Sequence, residues 1–262
     1  MFSAPRNKFN CSPRYQPILR EIGLDAEAVF THPDIKVWRA IPERDNCTLD
    51  ANLVDGRHIR LHIKRHHPAR GMTTPAEDES LAIRALEIEG IPTVPLVGWG
   101  RLIDGRSFLI TEDLTGYRDA EKAVRDGLEF ESILEPSADL AAKLHRVALH
   151  HRDLYLCHFF VRPENPSDLR LIDAARVKRL PGWPMRERWI VKDLAQFWYS
   201  TMSLAITDEQ RQRWVARYGK QRQLKSTESL RISIERKSSA IARHDAKLRE
   251  KQKSRNVSIP GA

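Results

Sequence analysis

The segment His150-His151-Arg152-Asp153-Leu154-Tyr155-Leu156-Cys157-His158-Phe159-Phe160-Val161 constrains this chain more than any other. A helical pattern from Ser137 to Leu149, with Leu140, Ala141, Leu144 and Ala148 on one face, runs into it. A short apolar strand, Phe159 to Val161, runs out of it, and a second, Leu169 to Ile172, ends on Asp173. Asp153 and Asp173 therefore flank a hairpin and can converge on one site. His-Arg-Asp alone occurs by chance in solvated loops, so the weight falls on the residues that accompany it in order.

The chain has 262 residues, enough for one large or two small domains around a sizeable core. No apolar run is long enough to span a bilayer, and Met1 to Tyr15 lacks the apolar centre of a signal peptide. Cys11, Cys47 and Cys157 are odd in number and scattered, which indicates neither a disulfide framework nor a zinc cluster. A reduced, cytoplasmic protein is expected. The net charge of +9 is unevenly placed: Arg211 to Arg255 holds 15 Lys/Arg against 4 Asp/Glu, and the remainder 29 against 31. The basicity belongs to the C-terminal tail.

Ile35 to Ile41, Cys47 to Val54 and His58 to Lys64 read as strands, the last two joined by Asp55-Gly56, which supplies the positive φ of a tight hairpin. Pro75 to Glu89 reads as a helix capped by Thr74, with Leu81, Ala82, Ala85 and Leu86 as its apolar stripe and Gly90 as its stop. Val94 to Ile103 and Ser107 to Thr111 form a second hairpin on Asp104-Gly105. Helices then dominate: Arg188 to Ser203, Asp208 to Tyr218, and Leu224 to about Lys253.

His151-Arg152-Asp153-Leu154 resembles the catalytic loop of protein-kinase-like phosphotransferases, in which an Asp accepts the proton of an attacking hydroxyl. The strand-strand-strand-helix-strand-strand order resembles the small lobe of that fold. Other parts of the template follow in sequence. Lys64 ends the third strand, where a Lys meets nucleotide phosphates, and Glu77 or Glu79 in the next helix is its partner, with Glu79 favoured by register. Leu109-Ile110-Thr111-Glu112-Asp113-Leu114 resembles the hinge whose backbone holds an adenine ring. Asp173 stands where a metal-binding Asp closes a strand, and Asp193 where a buried Asp braces the catalytic loop. No Gly lies in the first hairpin, Ala40 to Thr48, so Arg44 and Thr48 are the substitute phosphate donors. No peptide-docking segment fits between Asp173 and Asp193, where Pro181-Gly182-Trp183-Pro184 forms a turn, which points to a small or glycan acceptor.

Glu89-Gly90-Ile91-Pro92-Thr93, the segment from His151 to Phe159, Leu171-Ile172-Asp173 and Lys192-Asp193-Leu194-Ala195-Gln196 together resemble the bacterial lipopolysaccharide core kinases of the Kdo/WaaP family, over roughly Trp38 to Lys253. His158, where protein kinases have Asn, is similar to this family's own pattern; Ala174-Ala175 departs from it. The resemblance implies an α+β, two-lobed protein-kinase-like fold: a small antiparallel β-sheet lobe, a larger helical lobe and a long basic C-terminal helix. The expected division is an N-terminal extension (1–34), a nucleotide-binding lobe (35–114), a catalytic lobe (115–222) and a basic helix and tail (223–262). It also implies ATP and Mg²⁺, a heptose or Kdo hydroxyl of the lipopolysaccharide inner core as acceptor, and a peripheral place on the inner membrane. Asp153, Lys64 and Arg152 are the catalytic candidates; Lys64, Glu79, Glu112, Arg44 and Thr48 the nucleotide-binding candidates; Asp173 and His158 the metal candidates. Imidazole is a poor Mg²⁺ ligand beside oxygen, so His158 is expected to brace the loop instead.

Two further patterns invite weaker functional readings. His62, His66 and His67 read as a solvated basic turn, and Cys157 as a packed thiol. Leu230, Ile234, Ile241 and Leu248 line a basic helix that either packs on the large lobe or meets an anionic membrane. The rivals are a small-molecule kinase, a pseudokinase, and a nucleic-acid-binding protein, for which no motif is present.

Overall fold

Alternating apolar residues in the N-terminal half and 3.6-periodic ones in the C-terminal half build two different units in a computed structural model that describes residues 7–68 and 73–251. One unit takes in the described residues up to Ile88 together with Thr93–Thr115; the other takes Glu89–Pro92 and the described residues from Gly116. Residues 1–6 of the expected extension, part of the His- and Arg-rich loop (69–72), and the tail from 252, including the expected helix end at Lys253, lie outside the described residues.

The first unit contains β1 (Lys8–Cys11), α1 (Gln16–Glu21), α2 (Ala28–Thr31), β2 (Lys36–Ile41), β3 (Arg44–Asn52), β4 (His58–His66), α3 (Pro75–Ile88), β5 (Leu96–Arg101) and β6 (Ser107–Glu112). The strands form one antiparallel sheet in the order β1-β5-β6-β4-β3-β2. Because side chains alternate along a strand, Cys47, Leu49, Leu61, Ile63 and Ile110 share one face. On that face they pack with Tyr15, Leu19, Leu24 and Val29 from the segment before β2. Residues 7–34 are therefore built into the small unit rather than appended to it. The edge pairing depends on two glycines in β5. A Cβ at Gly100 would lie 2.3 Å from the Lys8 carbonyl oxygen, and one at Gly98 2.7 Å from that of Asn10.

Helix α3 differs from its expected stripe. Leu81 is exposed, and the buried face is Ala76, Glu79, Ser80, Ala82, Ile83 and Leu86. The rotation has a physical cause: the helix buries Glu79 to meet Lys64, which an apolar-only pattern does not count. Thr74 caps the helix, its Oγ1 accepting from Glu77 N at 3.2 Å.

The second unit contains β7 (Arg118–Asp119), α4 (Ala120–Arg125), α5 (Phe130–Arg146), β8 (Leu149–His150), β9 (Phe159–Arg162), β10 (Asn165–Leu171), β11 (Lys178–Arg179), α6 (Met185–Thr201), α7 (Asp208–Gln221) and α8 (Glu228–Lys251). Helix α5 starts seven residues before the expected Ser137, carrying Pro136 inside it. Phe130, Ile133 and Leu134 are buried ahead of the proline, and that packing outweighs one missing backbone hydrogen bond. Ala148, expected on the helix face, lies beyond its end at φ 56°. Trp214 of α7 stacks on Phe197 of α6 at 4.0 Å between ring centroids, and its Nε1–H donates to Ser137 Oγ at 2.9 Å. Helix α8 packs along α6, with Ile234 fully buried and Tyr199 OH donating to Asp245 at 2.6 Å. No described helix is long and apolar enough to cross a membrane.

Candidate active site

Helix α6 fixes the His151-Arg152-Asp153 loop through side chains spaced three and four residues apart, which share one face. Asp193 Oδ2 accepts from His151 N at 2.7 Å and Oδ1 from Arg152 N at 2.8 Å. Gln196 Oε1 accepts from Leu154 N at 3.2 Å, while its Nε2–H₂ donates to Arg152 O at 3.0 Å. Ser200 Oγ accepts from Leu156 N at 2.8 Å. Four of the loop's backbone donors thus find their acceptors on one helix rather than in water.

Asp193 is fully buried. Burial works against its charge, but the hydrogen bond and charge of His145, the charge of His151 and the His151 backbone N–H outweigh it. Together they hold the carboxyl below the usual carboxylate range. His145 lies 3.3 Å from it through Nε2 and 2.8 Å from Tyr218 OH through Nδ1. Burial pushes the His150 imidazole down to about 4 and, with the charge of His158, pushes His151 down too.

Ala148, Arg152 and Asp173 are three of the four non-glycine residues with positive φ among the described residues. Such conformations cost of order 1–3 kcal/mol each and persist where surrounding contacts enforce them. At Arg152 (φ 69°) the enforcement is the Asp193 clamp and Trp189, whose ring lies 4.8 Å below the guanidinium. The strained backbone turns Asp153 to the surface of the loop. Its carboxylate meets Arg176 Nη1 at 3.1 and 3.2 Å and Gln196 Nε2 at 3.4 Å. Lys192 lies in the same positive neighbourhood; burial, then the charge of Arg176, lowers its ammonium.

Asp153 and Asp173 are brought together through His158. His158 Nδ1–H donates to the Asp153 carbonyl oxygen at 2.6 Å, and its Nε2 lies 3.8 Å from Asp173 Oδ2. Ile172 N donates to His158 O at 3.0 Å, and His151 Nε2–H donates to Ile172 O at 3.0 Å. The ring of His151 stacks on that of His158. Cys157 is a packed thiol, raised by burial and then by Asp119 and Glu121.

In the sheet unit, Lys64 Nζ pairs with Glu79 Oε1 at 2.6 Å, and Glu79 is almost wholly buried whereas Glu77 is exposed. The register Arg44↔His66, Asn46↔Lys64 and Thr48↔His62 puts Arg44 and Thr48 on the same face of the sheet as Lys64. The Glu112 side chain lies away from that face. It stands across from Leu61, on the opposite face, where its carboxylate receives the Tyr15 hydroxyl and Arg14. Its backbone N–H donates to Pro95 O at 3.0 Å. The cause is the segment before β2, whose buried Tyr15 hydroxyl needs an acceptor. His62 and His67 are partly exposed, but His66 is buried in β4 and not part of a solvated turn, because its side chain turns inward at the end of the strand.

Sequence reasoning missed Arg176, Ser200 and His145, and it noted Gln196 only as part of a motif. The signal for two of them was present: Asp193, Gln196 and Ser200 fall on one helical face. Arg176 has no spacing rule, because it reaches Asp153 from a separate one-turn helix, Ala174–Arg176.

A family model described as the lipopolysaccharide kinase (Kdo/WaaP) family matches residues 51–218. The lipopolysaccharide core heptose(I) kinase WaaP of Pseudomonas aeruginosa is 29% identical over 209 residues, covering 70% of this chain and 76% of that protein. The protein of the same description from Escherichia coli K12 is 30% identical over 175 residues, 61% of this chain and 64% of its own length. Among solved structures, an aminoglycoside-3'-phosphotransferase of type VIII aligns with a TM-score of 0.55 at 16% identity, over 79% of this chain and 94% of that one. That likeness establishes the kinase-like fold.

Proposed function

The chain belongs to the lipopolysaccharide kinase (Kdo/WaaP) family, and from that premise we propose that it transfers the γ-phosphoryl group of ATP to a heptose hydroxyl of the lipopolysaccharide inner core. As a member it is a phosphotransferase acting on a sugar hydroxyl. Heptose is preferred to Kdo because both relatives above are described as heptose(I) kinases. The acceptor is lipid-linked, so the enzyme would work as a peripheral protein at the cytoplasmic face of the inner membrane.

The observation that carries the reading is the Asp193 clamp, which holds Arg152 at positive φ and so presents Asp153 on a fixed loop. Asp153 accepts the sugar hydroxyl's proton as that oxygen bonds to the γ-phosphorus and the bond to ADP breaks. Arg176 and Gln196 fix the orientation of the carboxylate. Lys64, steadied by Glu79, neutralises phosphate charge, with Arg44 and Thr48 as further donors on its face in place of a glycine-rich loop. Mg²⁺ usually binds through one or two carboxylates, substrate phosphates and waters, so it needs no cluster of three protein ligands. Asp173, with its side chain 30% exposed, fits as its protein ligand, and His158 braces the Asp153 carbonyl. When bound, the ion neutralises charge on the phosphates.

The test is incubation with labelled ATP, Mg²⁺ and dephosphorylated lipopolysaccharide core, with Asp153→Ala alongside. Label is expected in the glycan, and Asp153→Ala should abolish its transfer while leaving the far-UV circular dichroism unchanged. Label entering protein instead, or full activity in Asp153→Ala, would overturn the reading.

A further inference from the structure

Between Asp173 and the second turn of α6 the chain carries five basic residues, Arg176, Lys178, Arg179, Arg186 and Arg188, against one acid, Glu187. At the centre of this run Trp183 is 86% exposed and Met185 41%. Lys178, Arg179 and Arg188 are exposed around them. An indole left in water amid cations matches the chemistry of a bilayer surface, where an amphipathic ring sits at headgroup depth and basic side chains face acidic lipids.

Both ends of the run are tied to the segment that leads into Asp153. Strand β11 pairs with β8, Lys178 opposite His150 and Arg179 opposite Leu149. Leu180 N donates to Ala148 O at 2.7 Å. At the other end Trp189 lies 4.8 Å from the Arg152 guanidinium and 4.9 Å from the His150 ring. A surface seated on residues 178–188 is therefore held in a fixed relation to the His151-Arg152-Asp153 loop. Helix α8 offers no comparable anchor. It spends Ile234 on α6, and Ile232 is its one exposed large apolar side chain among the described residues.

We propose that residues 178–188 form a docking surface for an anionic bilayer, with Trp183 and Met185 entering the headgroup region and Lys178, Arg179 and Arg188 facing acidic headgroups. The docked loop brings Asp153 to the membrane surface, where a lipid-linked sugar is presented; this last step rests on the function proposed above.

The test is co-sedimentation with vesicles of phosphatidylcholine alone and of phosphatidylcholine with about one third phosphatidylglycerol. The wild-type protein should bind the anionic vesicles and leave the zwitterionic ones. Trp183→Ala with Met185→Ala should lower the partition about tenfold, and Arg179→Gln with Arg188→Gln about twentyfold. Arg236→Gln with Arg243→Gln on α8 should change it less than about threefold. Unfolding midpoints near that of the wild type show the variants to be folded. Both loop variants should still phosphorylate a deacylated, soluble core oligosaccharide. Wild-type binding in both loop variants, loss of binding in the α8 variant instead, or no binding by the wild type would each overturn the docking surface. If no protein phosphorylates the soluble acceptor while vesicle binding follows the expected order, the function reading fails and the docking surface stands.

Discussion

Replacing Asp193 by Asn keeps the shape of the clamp and removes its charge. The carboxylate accepts two backbone N–H bonds at 2.7 and 2.8 Å, and His145 Nε2 stands 3.3 Å away, all in a site with no solvent exposure. An amide has one accepting oxygen, so its NH₂ must face one of the two backbone N–H groups. That loses one hydrogen bond to a charged acceptor, about 1.5–3 kcal/mol, and strands a buried donor at about 1–3 kcal/mol. The surviving bond drops to neutral strength, roughly half. Together these come to about 3–7 kcal/mol, a range that contains the cost of about 3–5 kcal/mol for breaking a buried ion pair. Arg152, no longer clamped at φ 69°, should relax out of the left-handed region and carry Asp153 with it.

Urea unfolding followed by circular dichroism should show a lower midpoint for Asp193→Asn, and turnover should fall about a hundredfold or more. The effect has a defined pH dependence. The folded carboxyl is held below its ordinary value, so its contribution is complete above the unfolded value of about 3.9 and is lost as pH falls through the lower folded one. The gap in stability between wild type and Asp193→Asn should be constant near neutrality and close below about pH 4. An Asp193→Asn protein with the wild-type midpoint and turnover would refute the clamp.

Three other outcomes follow from single contacts. Gln196→Leu removes the acceptor of Leu154 N and the donor to Arg152 O, so turnover should drop about tenfold or more with a stability loss of about 2 kcal/mol; unchanged turnover counts against its positioning role. His66 is pushed down to about 4, first by burial and then by Arg44, Lys64 and His67. It stays neutral in the fold while the unfolded chain takes up a proton below about pH 6.5. Stability should therefore fall as pH drops from there toward 4, with His66 contributing on the order of 3 kcal/mol at pH 4, and His66→Gln should make that limb shallower while the parts due to His150 and His151 remain. Ile234→Ala, at a fully buried contact of α8 with α6, should cost about 2–4 kcal/mol in the urea midpoint, and a cost under about 1 kcal/mol would mean that α8 is not docked.

What could be read from the sequence was whatever has a local period or a fixed order. The β3–β4 hairpin was visible in Asp55-Gly56, and the Lys64–Glu79 pair in the order strand, then helix. The hidden parts are held by contacts between residues distant in sequence. Strand β1 has no clear alternation of its own; it forms because Gly98 and Gly100 let a backbone approach β5. Tyr15 buries its ring in the sheet core and its hydroxyl claims the Glu112 carboxylate, 97 residues away, a pairing with no local signal in sequence. The α3 stripe was rotated for the converse reason: a buried Glu reads as polar until its Lys partner is placed beside it.

Charge shows the same limit in a sharper form. By count, the basic residues from Arg211 to Arg255 make the C-terminal helix the obvious surface for an anionic membrane. Charge attracts a protein to a bilayer, but retention also takes apolar side chains free to leave water. In α8 Ile234 is buried and Leu230, Ile241 and Leu248 are half-buried, which leaves Ile232 as the one exposed large apolar side chain among the described residues of a solvated basic face. The run from Lys178 to Arg188 is less conspicuous in composition, yet it combines exposed cations with an exposed indole. It is also joined through β8 and Trp189 to the loop that carries Asp153. That run reaches the loop directly, by the β11–β8 pairing and Trp189, whereas α8 reaches it through α6, so the docking proposed above places the bilayer nearest the Asp153 loop.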